Sequence, residues 1–299
     1  MESSTTQMQS WIGSAETKEQ KKFRKAVHII LHAMAVDQST RANFVLKGGI
    51  LLALKFESNR FTKDIDLSCV ADYSDFDEST IKEILEKSLK TSAMLLNYDL
   101  ECVIQKIERK PNPQKHPKPK FPALQIKIGY TDRAKLRNNR PSANVVAIDI
   151  SYNEVVSEEK DYFSQEIELN CYSLRELISE KIRSILQQVE RNRTRRQDIF
   201  DLYHLIQTQC ENTDEEKADI LKMLFAKSVD RGIDAFLKKD ALDNQEIKNR
   251  SKKDYLTLET EVSGVLPDFD TSYEVVNNFF KSLPWEQEGL SSPLSDDDT

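Results

Sequence analysis

The chain has 299 residues and a formal net charge of −7 at pH 7, enough length for one large or two ordinary domains around a sizeable core. The acidic balance excludes a protein that coats nucleic acid nonspecifically, so any nucleic-acid contact must come from local basic patches. Cys69, Cys102, Cys171 and Cys210 form no C-x-x-C pair and read as reduced residues of a cytoplasmic protein; no apolar run approaches the roughly 20 residues needed to cross a bilayer.

Residues 1–17 are rich in Ser, Thr and Gln and are expected to be disordered. A helix follows, with Phe23, Val27, Ile30, Leu31 and Met34 at helical spacing. His28 and His32 lie one turn apart on it; without a third ligand nearby they read as helix-face histidines rather than a metal pair. Phe44 to Asp66 then reads as strand, tight turn, helix, strand. Gly48 and Gly49, two of the chain's seven glycines, break the run after Lys47, and Ile50 to Phe56 continues as an apolar helix.

From Asp64 polar and apolar residues alternate, so Asp64 and Asp66 share one strand face while Ile65 and Leu67 share the other. Two carboxylates about 7 Å apart along a strand repel unless a cation lies between them, and hard oxygen ligands suit Mg²⁺ carrying substrate phosphates. A glycine turn opening a helix lets phosphate approach backbone N–H groups. The alternative left open is a glycine turn before a surface strand with two solvated aspartates.

A helix is expected from the acidic turn Asp72 to Glu78 to about Leu96, then strands at Leu100, Cys102, Ile104 and at Leu124, Ile126, Ile128. Between those strands, Lys106 to Pro122 holds Lys106, Arg109, Lys110, Lys115, Lys118 and Lys120 with five of the nine prolines. It reads as a solvated extended loop. Arg133, Lys135, Arg137 and Arg140 follow the next strand, and both basic stretches are expected to leave one hairpin end as a single RNA-tracking surface; a plain hairpin linker is the alternative. In the strand Asn144 to Tyr152, Asp149 interrupts an otherwise apolar face; a strand-end aspartate bonding a loop is the alternative.

Ser173 to Val189 is a helix with Ser173 as cap and Glu176 three residues on. Its inward stripe is Leu174, Leu177, Ile178, Ile182, Ile185 and Val189, and Lys181 falls inside that stripe while Glu180 and Arg183 fall outside. The next helix, about Arg195 to Thr208, places Asp198 on the face of Leu202, Leu205 and Ile206. An inward Lys–Asp pair that merely ties two helices is the structural alternative. Arg191, Arg193, Arg195 and Arg196 form a basic turn between the helices, where phosphates or an RNA end are expected. From Asp214 onward the pattern is helical, and Ser291 to Thr299 is polar and acidic.

Leu46-Lys47-Gly48-Gly49, Arg60-x-Thr62-x-Asp64-Ile65-Asp66-Leu67, and Glu180-Lys181 with Arg195-Arg196-Gln197-Asp198 and Asp201-Leu202-Tyr203 resemble the AbiEii/AbiGii-type toxins of the DNA polymerase β-like nucleotidyltransferase superfamily. The superfamily usually has Gly-Ser and a shorter spacing; here Gly-Gly is followed by fourteen residues before Asp64, so the usual serine hydroxyl to phosphate is missing. The resemblance implies an α/β nucleotidyltransferase-like mixed sheet with flanking helices, followed by a C-terminal helical bundle. The expected divisions are 1–17 disordered, 18–172 nucleotidyltransferase core, 173–285 helical domain completing the site, and 286–299 disordered acidic tail.

It further implies Mg²⁺-dependent transfer from NTP to RNA, a tRNA 3′ end, with pyrophosphate released and a cognate antitoxin as partner. Asp64, Asp66 and, as a third carboxylate, Asp149 would serve metal and hydroxyl. Lys47, Gly48, Gly49, Arg60, Thr62 and Lys181 would serve the nucleotide, with Asp198 beside Lys181. Lys115, Lys118, Lys120, Arg133, Arg137, Arg193 and Arg196 are the expected RNA contacts. A protein or small-molecule acceptor, or a noncatalytic RNA- or partner-binding platform, are the alternatives.

Overall fold

A computed structural model describes residues 5–134, 141–157, 161–162 and 167–286, which fall into two compact units dividing between Ser173 and Leu174. In the first, α1 (Thr5–Gly13), α2 (Lys18–Val36) and α3 (Gln38–Asn43) precede β1 (Phe44–Lys47) and α4 (Gly48–Lys55). Then come β2 (Asp64–Cys69), α5 (Glu78–Leu96), β3 (Leu100–Lys110), β4 (Ala123–Asp132), β5 (Val145–Ser151), β6 (Asp161–Tyr162) and β7 (Asn170–Cys171).

The N-terminal stretch expected to be disordered is helical from Thr5. Met8 and Ile12, one turn apart, are both buried where α1 packs on α2 and α4. The Arg24 guanidinium lies over the Trp11 ring at 4.9 Å, and Gln9 donates to the Tyr98 hydroxyl at 2.8 Å. Thr17 caps α2 by accepting from Gln20 N–H, Asp77 caps α5 by accepting from Thr80 N–H, and Asn97 closes α5 in the left-handed conformation.

The strands form one mixed seven-stranded sheet in the order β3-β4-β5-β2-β1-β7-β6. Leu46 pairs with Leu67, Ile65 with Ile148, Leu67 with Ile150, and Ile126 with Ile148, so these apolar side chains fall on one face; all are fully buried. Helices α2 and α5 pack on each other and against the sheet. Apart from buried Gly129, the alternate positions of β4 and β5 are half-buried or exposed, which leaves a polar face for chemistry.

Two expectations about the basic stretches need correction. Strand β3 continues through Lys110 and pairs there with Ala123, so Lys106, Arg109 and Lys110 belong to a hairpin arm and the loop begins only at Pro111, the first residue that cannot donate to a ladder. The stretch after β4 also leaves from the opposite end of that strand: Lys110 meets Ala123 at one end and Leu100 meets Asp132 at the other. The ten residues of β4 hold the two ends about 30 Å apart. Lys135, Arg137 and Arg140 lie outside the described residues, as does most of the expected acidic tail.

The second unit contains α6 (Leu174–Leu186), α7 (Arg196–Thr208), α8 (Asp214–Ser228), α9 (Gln245–Lys252) and α10 (Phe269–Lys281), with short 3-10 turns at Asp234–Phe236, Ala241–Asp243 and Tyr255–Thr260. Helix α6 packs on both α7 and α8, and α10 packs on α7. Enclosure on two sides overturns the outward placement of Arg183, which is buried and donates to Glu180 at 2.6 Å and to Gln187 at 2.8 Å. Glu176 is fully buried, with Lys227 of α8 2.9 Å away. No helix among the described residues is long and apolar enough to cross a membrane.

The histidines of α2 hold the interior together. His28 Nδ1 lies 2.8 Å from the Tyr98 hydroxyl, and His32 Nδ1 lies 2.9 Å from Ser92 Oγ. Burial, and secondarily the charge of His32, lower the His28 pKa to about 4. The unfolded chain therefore binds a proton that the folded one refuses between about pH 6.5 and 4, so this contribution is present at neutral pH and is lost as pH falls through that window. The stability advantage of the parent over His28→Gln, measured by urea unfolding, is expected to shrink from pH 7 to pH 4; a constant gap would refute the neutral-imidazole assignment.

Candidate active site

The site of the first unit is built by register. Lys47 of β1 is opposite Asp66 of β2, Asp66 is opposite Asp149 of β5, and Asp149 is opposite Gln125 of β4. Residues opposite one another share a face, so these four side chains form one row across four strands, with Asp64 two residues along β2. Asp64 is exposed, whereas Asp66, Asp149 and Gln125 are half-buried. Partial desolvation, and next the charge of Asp149, hold the Asp64 carboxyl above its usual range, with Lys63 opposing.

The glycine turn is shaped by the same row. Gly48 has φ +71°, and a Cβ there would stand 2.0 Å from Asp66 Oδ2. Both backbone conformation and space therefore demand glycine. A Cβ at Gly49 would meet Thr62 Cβ and Cγ2 at 2.9 Å, so Thr62 is seated directly against the start of α4. Lys47, the residue before α4, makes no side-chain cap. Its ammonium instead donates to Glu154, which also accepts from Ser68 Oγ at 3.0 Å; Ser68 Oγ in turn lies 2.8 Å from the Tyr172 hydroxyl. Lys47 is thus buried beside the turn and balanced by a carboxylate.

Among the described residues no group of three His, Cys, Asp or Glu side chains is gathered tightly enough to cage a metal ion by itself. The donor set of Asp64, Asp66 and Asp149 is all carboxylate oxygen, and the Asp64–Asp149 repulsion is what a cation would relieve. That suits Mg²⁺, which binds through one or two carboxylates with the remaining positions filled by water and substrate phosphates.

At the Ala123 end of the hairpin, two residues from Gln125 along β4, lies the loop carrying Lys115, Lys118 and Lys120, all exposed. Arg109 fixes this loop from inside: its guanidinium lies 4.5 Å over the Tyr73 ring and donates to Pro117 O at 3.1 Å. Asn112 accepts from Gln114 N–H, and Asn153 donates to Lys120 O. Arg133 is at the far end and is tied to Glu101 at 3.0 Å and to Ala93 O at 3.2 Å. Arg60 and Thr62 are half-buried on the approach to β2.

In the second unit, Lys181 donates to Asp198 Oδ1 at 3.1 Å and to Asp201 Oδ2 at 2.6 Å. All three side chains are less than a tenth exposed. Asp198 Oδ2 has no hydrogen-bond partner and lies 3.9 Å from Arg195 Nε. The inward lysine and aspartate thus meet as the periodicity indicates, but in a closed cluster with Asp201 as a second anion. Arg193 is exposed, whereas Arg196 donates to Thr257 and, at 2.9 Å, to Glu261.

Sequence reasoning missed Gln125, Glu154 and Lys227, and took Asp201 only as part of a signature. Asp201 lies three residues after Asp198, one helical turn away, and that spacing was its available signal. Removing the lysine of the cluster leaves two buried anions uncompensated, so Lys181→Met is expected to destabilise the fold by about 3 to 5 kcal/mol. Lys181→Met with Asp198→Leu and Asp201→Leu should recover much of that loss in urea unfolding. A single variant as stable as the parent would refute the cluster.

A family model described as "Nucleotidyl transferase AbiEii toxin, Type IV TA system" matches residues 29–275. Comparison with curated proteins gives no match. The fold is similar to JHP933 from Helicobacter pylori, with TM-score 0.52 and 16% identity over 89% of this chain and 92% of that one. It is also similar to a structure from H. pylori described as a candidate nucleotidyltransferase, with TM-score 0.52 and 17% identity over 89% of this chain and 94% of the other. The span of the family match, which covers the carboxylate row and both helices of the lysine cluster, shows that the chain belongs to the AbiEii nucleotidyl transferase toxin family of type IV toxin–antitoxin systems.

Proposed function

We propose that the chain transfers a nucleotide from an NTP to an RNA 3′ end, of a tRNA, using Mg²⁺. The observation that carries the reading is the row of Asp66 and Asp149 on adjacent strands, with Asp64 beside them and Gly48 pressed against Asp66. Asp64 and Asp66 would hold Mg²⁺, which supplies charge neutralisation for the entering and leaving oxygens of an in-line displacement. Asp149, across the strand pair, orients the acceptor hydroxyl and takes its proton as the new O–P bond forms and the bond to pyrophosphate breaks. The backbone N–H groups at the start of α4 face phosphate, and glycine at 48 and 49 removes the side chains that would bar its approach. Thr62 and Arg60 flank that approach.

For the acceptor, the supporting feature is the braced loop with Lys115, Lys118 and Lys120 at the carboxylate end of the hairpin, in a chain whose net charge is −7. Arg133 serves its own end of the sheet and is left out of this surface; Arg193 is a second exposed cation in the helical unit. A cognate antitoxin is the partner that the family implies, and the proposed place of action is the cytoplasm.

Asp66→Ala removes a charged ligand from a half-buried position and no core volume, so it is expected to abolish nucleotide transfer and toxicity while circular dichroism stays that of the parent. Transfer by a folded Asp66→Ala protein, with labelled NTPs, Mg²⁺ and total RNA, would sink the metal assignment. For the loop, neutralising Lys115, Lys118 and Lys120 together should weaken RNA binding and flatten its salt dependence, the log–log slope falling by about 0.7 to 0.9 for each phosphate no longer engaged. NTP affinity should hold. Identical salt slopes for parent and triple variant would reject the loop as an RNA element and favour a protein or small-molecule acceptor.

A further inference from the structure

We infer that Gln125 is the positioning residue for Asp149. This rests on the transfer reading above and adds a role to a side chain that no motif marks. Gln125 stands opposite Asp149 in the antiparallel β4–β5 ladder, and its Nε2 donates to Asp149 Oδ1 at 3.1 Å. On its other side, Gln125 stands opposite Glu108 of β3, whose carboxylate is engaged by Lys106 at 2.8 Å and Lys110 at 3.8 Å. Gln125 is therefore the neutral member of the row, set between two carboxylates, and of those two neighbours it hydrogen-bonds Asp149.

Three features make this more than a passing surface bond. Both side chains are half-buried on strand interiors, where rotamers are limited by neighbours on the same face. The carboxamide donates without carrying charge, so it fixes a carboxylate rotamer without neutralising it, which a lysine in its place would do. And with one oxygen of Asp149 held by Gln125, the second is left for the acceptor hydroxyl. Catalytic groups need such outer support, because a small error in aim is felt as a large loss in rate.

The test compares Gln125→Leu and Gln125→Glu with the parent in steady-state transfer to total RNA at saturating Mg²⁺, alongside thermal melts and Asp66→Ala. Gln125→Leu removes the donor; Gln125→Glu keeps the shape, loses the donor and adds a like charge beside Asp149. Both are expected to lower kcat by roughly 10- to 100-fold, Gln125→Glu at least as much as Gln125→Leu, with the KM for NTP within about twofold and the melting temperature of Gln125→Leu close to that of the parent. That split would not arise from a side chain that only braces the sheet, whose loss would shift the melt and leave kcat of the folded fraction intact. Values of kcat within about twofold of the parent for both variants overturn the inference. If Asp66→Ala is inactive in the same assay, that failure belongs to Gln125 alone; if Asp66→Ala is active, the underlying site reading has failed.

Discussion

The register of β2, held antiparallel to β1 and parallel to β5, is the constraint on which the site depends. Because side chains alternate along a strand, a slip of one residue would carry Asp64 and Asp66 into the packed interior and turn Ile65 and Leu67 out. The buried ladder of Leu46, Leu67, Ile150 and Leu124 across four strands resists that slip. Each such side chain contributes on the order of 1.5 to 3 kcal/mol of burial. The apolar face thereby fixes where the carboxylates stand, although it touches none of the chemistry.

The buried interiors and the polar face of the sheet handle charge in opposite ways. In the helical unit, Lys181 with Asp198 and Asp201, and Lys227 with Glu176, bring anion and cation into contact away from water. Such pairs add little net stability over an apolar replacement, but removing one partner is severe, so they fix helix geometry more than they strengthen it. Lys47 with Glu154 does the same beneath the glycine turn. The polar face of the sheet does the reverse, since partial desolvation and then the charge of Asp149 disfavour the ionised form of Asp64.

Much of this was legible in the sequence where a local period decides the outcome. The alternation after Lys63 placed Asp64 and Asp66 on one face, and the 100° rotation of a helix placed Lys181 and Asp198 inward. What failed were properties set by partners. Composition suggested that residues 1–17 were too polar to order, but Met8 and Ile12 are buried where α1 packs on α2. Helical periodicity put Arg183 outside, but it is buried and bonded to Glu180 and Gln187 on a helix packed by both α7 and α8. The two basic stretches looked like neighbours because they flank one strand, and it is their flanking of that strand that puts them at its opposite ends. Gln125 had no signal at all, because a hydrogen bond across a ladder depends on which strands pair.

The departure from Gly-Ser at the turn has a physical reading in the same contacts. Any side chain at position 49 would begin with a Cβ 2.9 Å from Thr62 Cγ2 and 3.0 Å from Thr62 Oγ1, closer than neighbouring carbons tolerate. A serine at 49 would therefore require Thr62 to shift. The volume that a serine would fill beside the first turn of α4 is taken by Thr62, which brings a hydroxyl to that place from the segment leading into β2. A backbone without Cβ at 48 and 49 lets both Asp66 and Thr62 approach the start of the helix.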